Sequence, residues 1–119
     1  MLTIRSTIVA LAAIGIVTTG SAFAQDSAKE RAPVTRVLLE NDKVRVTEST
    51  FLPGDVSRAN RGRRVNYIVK GSTMERTSKD GKKEVVERVT GTAVWLEADS
   101  DVVKNIGKST FIVVGTAFK

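Results

Sequence analysis

The amino-acid sequence predicts an all-β fold, an antiparallel barrel or jelly roll, and three features support this prediction. Short runs rich in β-branched residues recur at regular spacing after Pro33. Turn residues such as Pro53-Gly54 and Asp80-Gly81 separate these runs. No segment after residue 24 has the pattern of a helix. Regular short strands with turn signals between them are typical of antiparallel barrels and sandwiches, and closure of the sheet or a double-sheet jelly roll protects the strand edges.

The chain divides into about eight predicted strands. Residues 43–48 alternate polar and apolar side chains, which indicates a half-buried strand. Asp80-Gly81 predicts a hairpin, because this pair favours the tight turns that join antiparallel strands. The predicted strands cover residues 34–39, 43–48, 65–69, 74–77, 84–89, 93–96, 102–105 and 110–118.

The first 24 residues have the pattern of a Sec-type secretory signal peptide. Arg5 precedes an apolar run at residues 8–17, and Ser21-Ala22-Phe23-Ala24 ends the segment with small residues next to the expected cleavage site. The run is too short to cross a bilayer, which takes about 20 residues. We therefore expect cleavage after Ala24, a flexible arm over residues 25–32 and one domain over residues 33–119. The mature form is expected to have no membrane span and to be periplasmic in a bacterium, or secreted.

The chain of 119 residues contains no histidine and no cysteine. Disulfides are therefore excluded, and so is a hydrolase of the Ser-His-Asp type, because no imidazole can activate a serine. The formal charge is +6, and Arg58, Arg61, Arg63 and Arg64 concentrate basic charge in one short segment. That segment has no interleaved aromatic residues on which bases could stack, so nucleic acid is not an expected partner.

Several segments resemble the cupin family in their order and separation. Residues 39–46 are similar to the opening of small single-domain cupins. Leu52-Pro53-Gly54 and the run from Tyr67 to Gly71 resemble the start and the end of the first cupin motif, and residues 91–107 resemble the second motif. The resemblance covers about residues 37–118 and implies a double-stranded β-helix, the jelly-roll barrel of the cupins. It also implies a homodimer, because many cupins pair through strands at one edge.

The resemblance also locates the metal-ligand positions of the family. In the cupins the first motif supplies two histidines and a glutamate, and the second motif supplies a histidine. These positions fall at Asn60, Gly62, Arg64 and Asp101 in this sequence. If the alignment with the first motif is shifted by one residue, Arg61 or Arg63 faces inward instead. All four residues differ from the family pattern, and imidazole is the usual ligand for transition metals. The sequence therefore predicts a metal-free barrel without a cofactor.

Two interpretations follow for the centre of the barrel. In the first, Arg64 and Asp101 meet where the metal lies in related proteins and, with Asn60, form a structural ion pair. In the second, the arginines form an anion-binding mouth, because a guanidinium presents a planar set of donors to carboxylates and phosphates. The candidate pocket residues are Asn60, Arg61, Arg64, Tyr67, Trp95 and Asp101. The sequence thus favours a non-catalytic binding or interaction module, with a small anion or a sugar acid as its ligand.

An enzyme is the alternative interpretation. Oxygen atoms of Asp101, Asp99, Glu97 and Asn60 can serve as ligands for a hard cation such as calcium, magnesium or manganese. The neighbouring arginines oppose a cation there. Metal-free acid–base catalysis by Asp101 or Tyr67 is a further alternative. Trp95 and Tyr67, which are candidates for the pocket, are alternatively expected in the core, since large aromatic side chains are more often packed than exposed.

Overall fold

The computed structural model describes residues 30–119, and the predicted signal peptide and most of the predicted arm lie outside this range. Arg31 is attached to the domain. Its Nε donates a hydrogen bond to Asp55 Oδ1 at 2.8 Å, and its carbonyl accepts one from the backbone N–H of Val56 at 2.8 Å. Residues 30–119 contain no helix with the length and apolar character needed to cross a membrane.

Residues 30–119 form nine strands and no helix. The strands are β1 (Val34–Glu40), β2 (Val44–Phe51), β3 (Val56–Ser57), β4 (Arg64–Lys70), β5 (Ser72–Thr77), β6 (Lys83–Arg88), β7 (Ala93–Leu96), β8 (Val102–Asn105) and β9 (Phe111–Phe118). All eight predicted strands are present. The additional strand β3 has only two residues, which is too short to show an alternating pattern.

The strands form two antiparallel sheets. The first sheet has the order β1-β2-β9-β4-β7, and the second has the order β3-β8-β5-β6. Apart from the consecutive pairs β1-β2 and β5-β6, neighbouring strands in each sheet are distant in the sequence. The prediction of an all-β jelly roll is confirmed. The register shifts between Val37 and Leu39 on β1 and between Ile68 and Lys70 on β4, irregularities of the kind that β-bulges produce.

A small apolar core joins the two sheets. Phe51, Ile68, Phe111 and Val113 come from the first sheet and Met74 from the second, and all are buried. Phe51 and Phe111 pack edge to face with ring centroids 5.6 Å apart, a favourable arrangement for aromatic pairs. The core occupies one end of the space between the sheets, which leaves the other end for polar side chains.

Asn105 fixes the loops at the core end of the domain and has no exposed surface. Its Nδ2 donates hydrogen bonds to the carbonyls of Phe51 and Ser109, at 3.0 and 2.9 Å. Its Oδ1 accepts hydrogen bonds from Ser72 Oγ and the N–H of Gly107, at 2.8 and 3.0 Å. The buried amide is therefore satisfied by the protein alone, which makes it a structural residue.

Candidate functional site

A cavity of about 380 Å³ lies between the two sheets. This volume falls within the range of small-molecule pockets. Residues from both sheets and from the loop before β4 line it. The polar lining residues are Thr35, Arg45, Thr47, Ser49, Ser57, Asn60, Arg61, Arg64, Asn66, Arg76 and Arg88. The larger apolar ones are Phe51, Met74, Leu96, Val103, Phe111 and Val113.

Alternate residues of each strand in the first sheet face the cavity, so the lining is built from successive cross-strand rows of inward-facing side chains. One cross-strand row contains Arg45, Ala117, Arg64 and Leu96 in register. The next inward row contains Thr47, Gly115 and Asn66. The last row pairs Phe51 with Phe111. The cavity thus has a basic mouth, a polar middle and an apolar floor.

Gly115 leaves room for the Asn66 side chain in the middle of the cavity. A Cβ atom at this position would lie 2.8 Å from Asn66 Oδ1, a separation that real Cβ atoms essentially never show. The Asn66 side chain makes no hydrogen bond to any of residues 30–119, although it is half-buried. Its amide therefore offers donors and an acceptor to whatever occupies the cavity.

Arg64 is the buried cation of the mouth and is 6% exposed. It opens β4, and its inward direction follows from the alternation that also turns Asn66 and Ile68 inward. The Arg64 guanidinium donates hydrogen bonds to the carbonyl of Gly62 at 3.0 Å and to Asp99 Oδ2 at 3.1 Å. A buried guanidinium needs such partners, because an unpaired charge inside a protein is costly.

Asp99 connects three arginines. Its Oδ2 accepts hydrogen bonds from Arg64 and from Arg76 Nη2, the latter at 3.2 Å, and its Oδ1 lies 3.7 Å from Arg61 Nη1. Asp101 completes the cluster, since its Oδ2 accepts a hydrogen bond from Arg76 Nη2 at 2.8 Å. Arg61 Nη2 donates to the Asp101 carbonyl at 3.0 Å. Three arginines therefore share two carboxylates, which leaves positive charge in excess.

The pKa directions agree with this network. Burial alone would raise the pKa of Asp99, but the N–H of Asp101 and the guanidinium of Arg64 outweigh it and lower the pKa. Burial would likewise lower the pKa of Arg76, but its hydrogen bond with Asp101 and the attraction of Asp99 raise it. Burial lowers the pKa of Arg61, and repulsion from Arg64 and Arg76 adds to the effect.

Arg88 lies on β6 and lines the cavity without a contact counter-ion. Its side chain makes no hydrogen bond and no ion pair with any of residues 30–119. Burial lowers its pKa, repulsion from Arg76 and Arg64 lowers it further, and only the more distant Glu84 opposes them. Arg45, in the same cross-strand row as Arg64, is loosely paired, with 3.7 Å between its Nε and Glu40 Oε1.

Some of the predicted site residues line the cavity and others do not. Asn60, Arg61, Gly62 and Arg64 line the cavity. The predicted pair of Arg64 with Asp101 is wrong, because Arg64 pairs with Asp99 and Asp101 pairs with Arg76. Asn60 takes no part in holding Arg64. The cavity lies beside the ion cluster, so a structural ion pair does not fill the centre of the barrel.

The predictions for Tyr67 and Trp95 are also wrong, because neither residue lines the cavity and neither is in the core. They are 48% and 53% exposed on the outer face of the first sheet. Tyr67 follows inward-facing Asn66, and Trp95 pairs with Val65, so strand alternation turns both outward. The Trp95 ring stacks on Phe118 with centroids 5.8 Å apart.

Three cavity arginines were not among the predicted site residues: Arg45, Arg76 and Arg88. Each lies in a strand that carries both acidic and basic residues, a composition that is also typical of a solvated face. The sequence feature that could have identified them is their even spacing from buried residues of the same strand. Arg76 is two residues from buried Met74, and Arg45 is six residues from buried Phe51, so both share the inward phase.

The four residues at the cupin ligand positions do not fit a transition metal. Asn60, Gly62 and Arg64 offer no imidazole or carboxylate, and the carboxylate of Asp101 is engaged by Arg76. Within residues 30–119 no three histidine, cysteine or acidic side chains come together in a group that could hold a metal ion. The excess of guanidinium groups further opposes a cation at this place.

Solved structures share this fold. A cupin domain from Bordetella pertussis superposes with a TM-score of 0.70 at 19% identity, covering 76% of this chain and 97% of that one. A conserved protein with a double-stranded β-helix domain from Klebsiella pneumoniae gives 0.58 at 19% identity, covering 72% and 76%. A polyketide cyclase from Streptomyces resistomycificus gives 0.55 at 18% identity, covering 76% and 69%.

The chain therefore has the cupin fold, and the resemblance found in the sequence is confirmed at the level of the fold. No protein-family model matches the chain, and none of the curated protein sequences does. Because the identities to the solved structures are below 20%, the likeness defines the architecture and leaves function to be argued from the cavity.

Proposed function

We propose that this chain is a non-catalytic binding module that holds a small organic anion inside its barrel without a metal. One observation carries the proposal: among residues 30–119, five arginines and no acidic residue line the cavity. Asp99 and Asp101 neutralise part of this charge from behind Arg64 and Arg76. The remaining charge faces the cavity.

Arg88 and Arg45 are the arginines best suited to contact the anion. The groups of Arg64, Arg76 and Arg61 already donate to carboxylates or carbonyls. Arg88 has no contact partner among residues 30–119, and the only ion pair of Arg45 is long. A bound carboxylate would supply the partner that a half-buried guanidinium lacks and would form charge-assisted hydrogen bonds with it.

Binding is better supported than catalysis. Tyr67 faces outward, so it cannot act as an acid or base in the cavity. The carboxylates of Asp99 and Asp101 are already engaged by arginines, which leaves them less available to a substrate. The hard-metal alternative would need Asp99, Asp101 and Glu97 to converge, yet the Glu97 carboxylate is bonded to Trp95 on the outer face.

Export is part of the proposal. The pattern of residues 1–24 supports a cleaved signal peptide and a periplasmic or secreted module. The absence of cysteine means that the domain needs no oxidation step after export.

A thermal-shift panel with Arg88→Gln and Arg63→Gln as matched variants tests the function. The purified protein is mixed with octanoate, glucuronate, phosphate, manganese, zinc or a chelator. An organic anion is expected to raise the Tm of the wild-type protein and of Arg63→Gln, because Arg63 lies in the loop before β4, outside the cavity lining. The shift should be lost in Arg88→Gln. Stabilisation by a metal that the chelator reverses, with no response to any anion, would contradict the proposal.

A further inference from the structure

We propose that the anion is an amphipathic carboxylate, with its carboxylate at the arginines and an apolar body against the floor of the cavity. This inference rests on the proposed function and narrows it from organic anions in general to one chemical class. It excludes sugar acids as the preferred ligands.

The floor of the cavity carries the argument. It is built by Phe51, Met74, Val103, Phe111 and Val113. None of these side chains offers a conventional hydrogen bond, so a sugar hydroxyl placed there would lose its bonds to water and gain none. An alkyl or aryl group would instead bury apolar surface on both sides of the contact.

The arginines of the first sheet lie at the other end of the cavity. Arg45 and Arg64 form the mouth row, with Thr47 and Asn66 in the row below. A carboxylate at the mouth can therefore accept hydrogen bonds while the rest of the molecule points toward Phe111. The hydroxyls of Thr35 and Ser49 are bonded to each other at 2.8 Å, which leaves them less available to a ligand.

The size of the cavity sets the size of the ligand. A volume of about 380 Å³ equals that of about a dozen water molecules at ~30 Å³ each. A carboxylate with about ten non-hydrogen atoms, such as octanoate, matches this space. Much longer chains would have to leave the mouth.

Titration calorimetry with straight-chain carboxylates from butyrate to dodecanoate tests the inference. The affinity is expected to rise about fourfold for each added methylene up to octanoate, because each group buries a similar apolar area, and then to level off. Octanol has the same chain without the charge and should bind at least tenfold more weakly than octanoate. Glucuronate and phosphate should also bind more weakly than octanoate.

The outcomes separate this inference from the proposed function. Binding of glucuronate or phosphate as tightly as octanoate would overturn the amphipathic ligand and leave an anion site. Octanol binding as tightly as octanoate would overturn the role of the arginines. If no anion binds, both the inference and the proposed function fail.

Val103→Thr provides a second test on the floor itself. Threonine is similar in size to valine but places a hydroxyl in the floor, where an apolar group would meet it without a hydrogen bond. Val103 is only partly buried, so the fold should tolerate the change. The variant is expected to weaken octanoate binding several-fold while butyrate binding changes less than twofold. An equal loss for both acids, or no loss for octanoate, would contradict the assignment of the apolar body to the floor.

Discussion

Asp99 shapes the mouth of the cavity because one carboxylate group holds Arg64 and Arg76 in place. Without it, the buried Arg64 would keep only carbonyl partners for its positive charge. Asp99→Asn is therefore expected to lower the free energy of unfolding by about 2–3 kcal/mol, the range for a hydrogen bond to a charged group. Urea unfolding measures the change.

Glu97→Gln is the matched control for this prediction. Glu97 is two residues away, exposed, and its carboxylate contacts Trp95 on the outer face. We expect a change of less than about 0.5 kcal/mol, as for most surface substitutions. Equal losses for the two variants would show that the arginine cluster does not stabilise the domain.

The pKa of Asp99 also predicts how stability depends on pH. Its pKa is below the ordinary value in the folded protein, since the N–H of Asp101 and Arg64 outweigh burial. A lowered folded-state pKa contributes stability that is fully present above the unfolded pKa, about 3.9 for an aspartate, and is lost as the pH falls through the folded value. The stability difference between wild type and Asp99→Asn should be constant from pH 7 to 5 and shrink below pH 4. Urea unfolding across this range would contradict the account if the difference grew on acidification.

Asn105 gives a prediction at the opposite end of the domain. In Asn105→Asp a carboxylate oxygen replaces Nδ2 and faces the carbonyls of Phe51 and Ser109. A buried, unpaired charge results, and we expect a loss of about 3 kcal/mol or more at pH 7. Protonation restores one donor, so the loss relative to wild type should be smaller at pH 4 in urea unfolding. Asn41→Asp, at an exposed turn where only Oδ1 accepts hydrogen bonds, should change stability little at either pH.

The sequence predicts the positions of some side chains but not their partners. The inward position of Arg64 follows from its place in a motif that resembles the cupins. The partner of Arg64 could not be predicted, because Asp99 and Asp101 lie two residues apart and both reach the cluster. Arg88 lies in a strand with acidic and basic residues on both faces, so only the fold reveals that it lines the cavity.

At the scale of elements, Gly71, which links β4 to β5, permits the close approach of residues 88–90 at the end of β6. A Cβ atom there would overlap the backbone carbonyl of Arg88 and lie 2.9 Å from the Thr90 nitrogen. Backbone atoms cannot move aside as a flexible side chain can. Gly71→Ala is expected to cost about 1–3 kcal/mol, as overpacking generally does, and to disturb the β5–β6 edge that carries Arg88.

Gly62→Ala is the control for that prediction, because a Cβ atom at Gly62 would meet nothing within 4 Å. Thermal and urea unfolding of the two variants should differ clearly. If Gly71→Ala were as stable as Gly62→Ala, the close approach would not explain the glycine at this position.

The strands themselves were predictable from their β-branched runs and turn residues, and Gly81 and Gly91 indeed adopt positive φ angles at turns. The order of the strands in the two sheets required the resemblance to the cupins, since alternation within a strand does not name its neighbour. Strand β3 and the irregular register of β1 and β4 could not be predicted, because each depends on contacts between distant segments.

For the whole molecule, the excess of basic charge and the cavity arginines point to the same class of partner. A formal charge of +6 attracts anions at long range, and the arginines then bind them at short range. The homodimer that the resemblance implies stays a prediction, which the mass from light scattering would test.

The central claim is that an organic anion binds inside the barrel, between the arginines and the apolar floor. An octanoate titration followed by ¹⁵N–¹H NMR spectra tests it most directly, since every backbone amide and the indole N–H of Trp95 report separately. The account predicts saturable shifts at Asn66, Gly115 and Arg88, which surround the cavity, and none at the Trp95 indole on the outer face. Shifts confined to the outer face, or no saturable shift in the cavity, would contradict it.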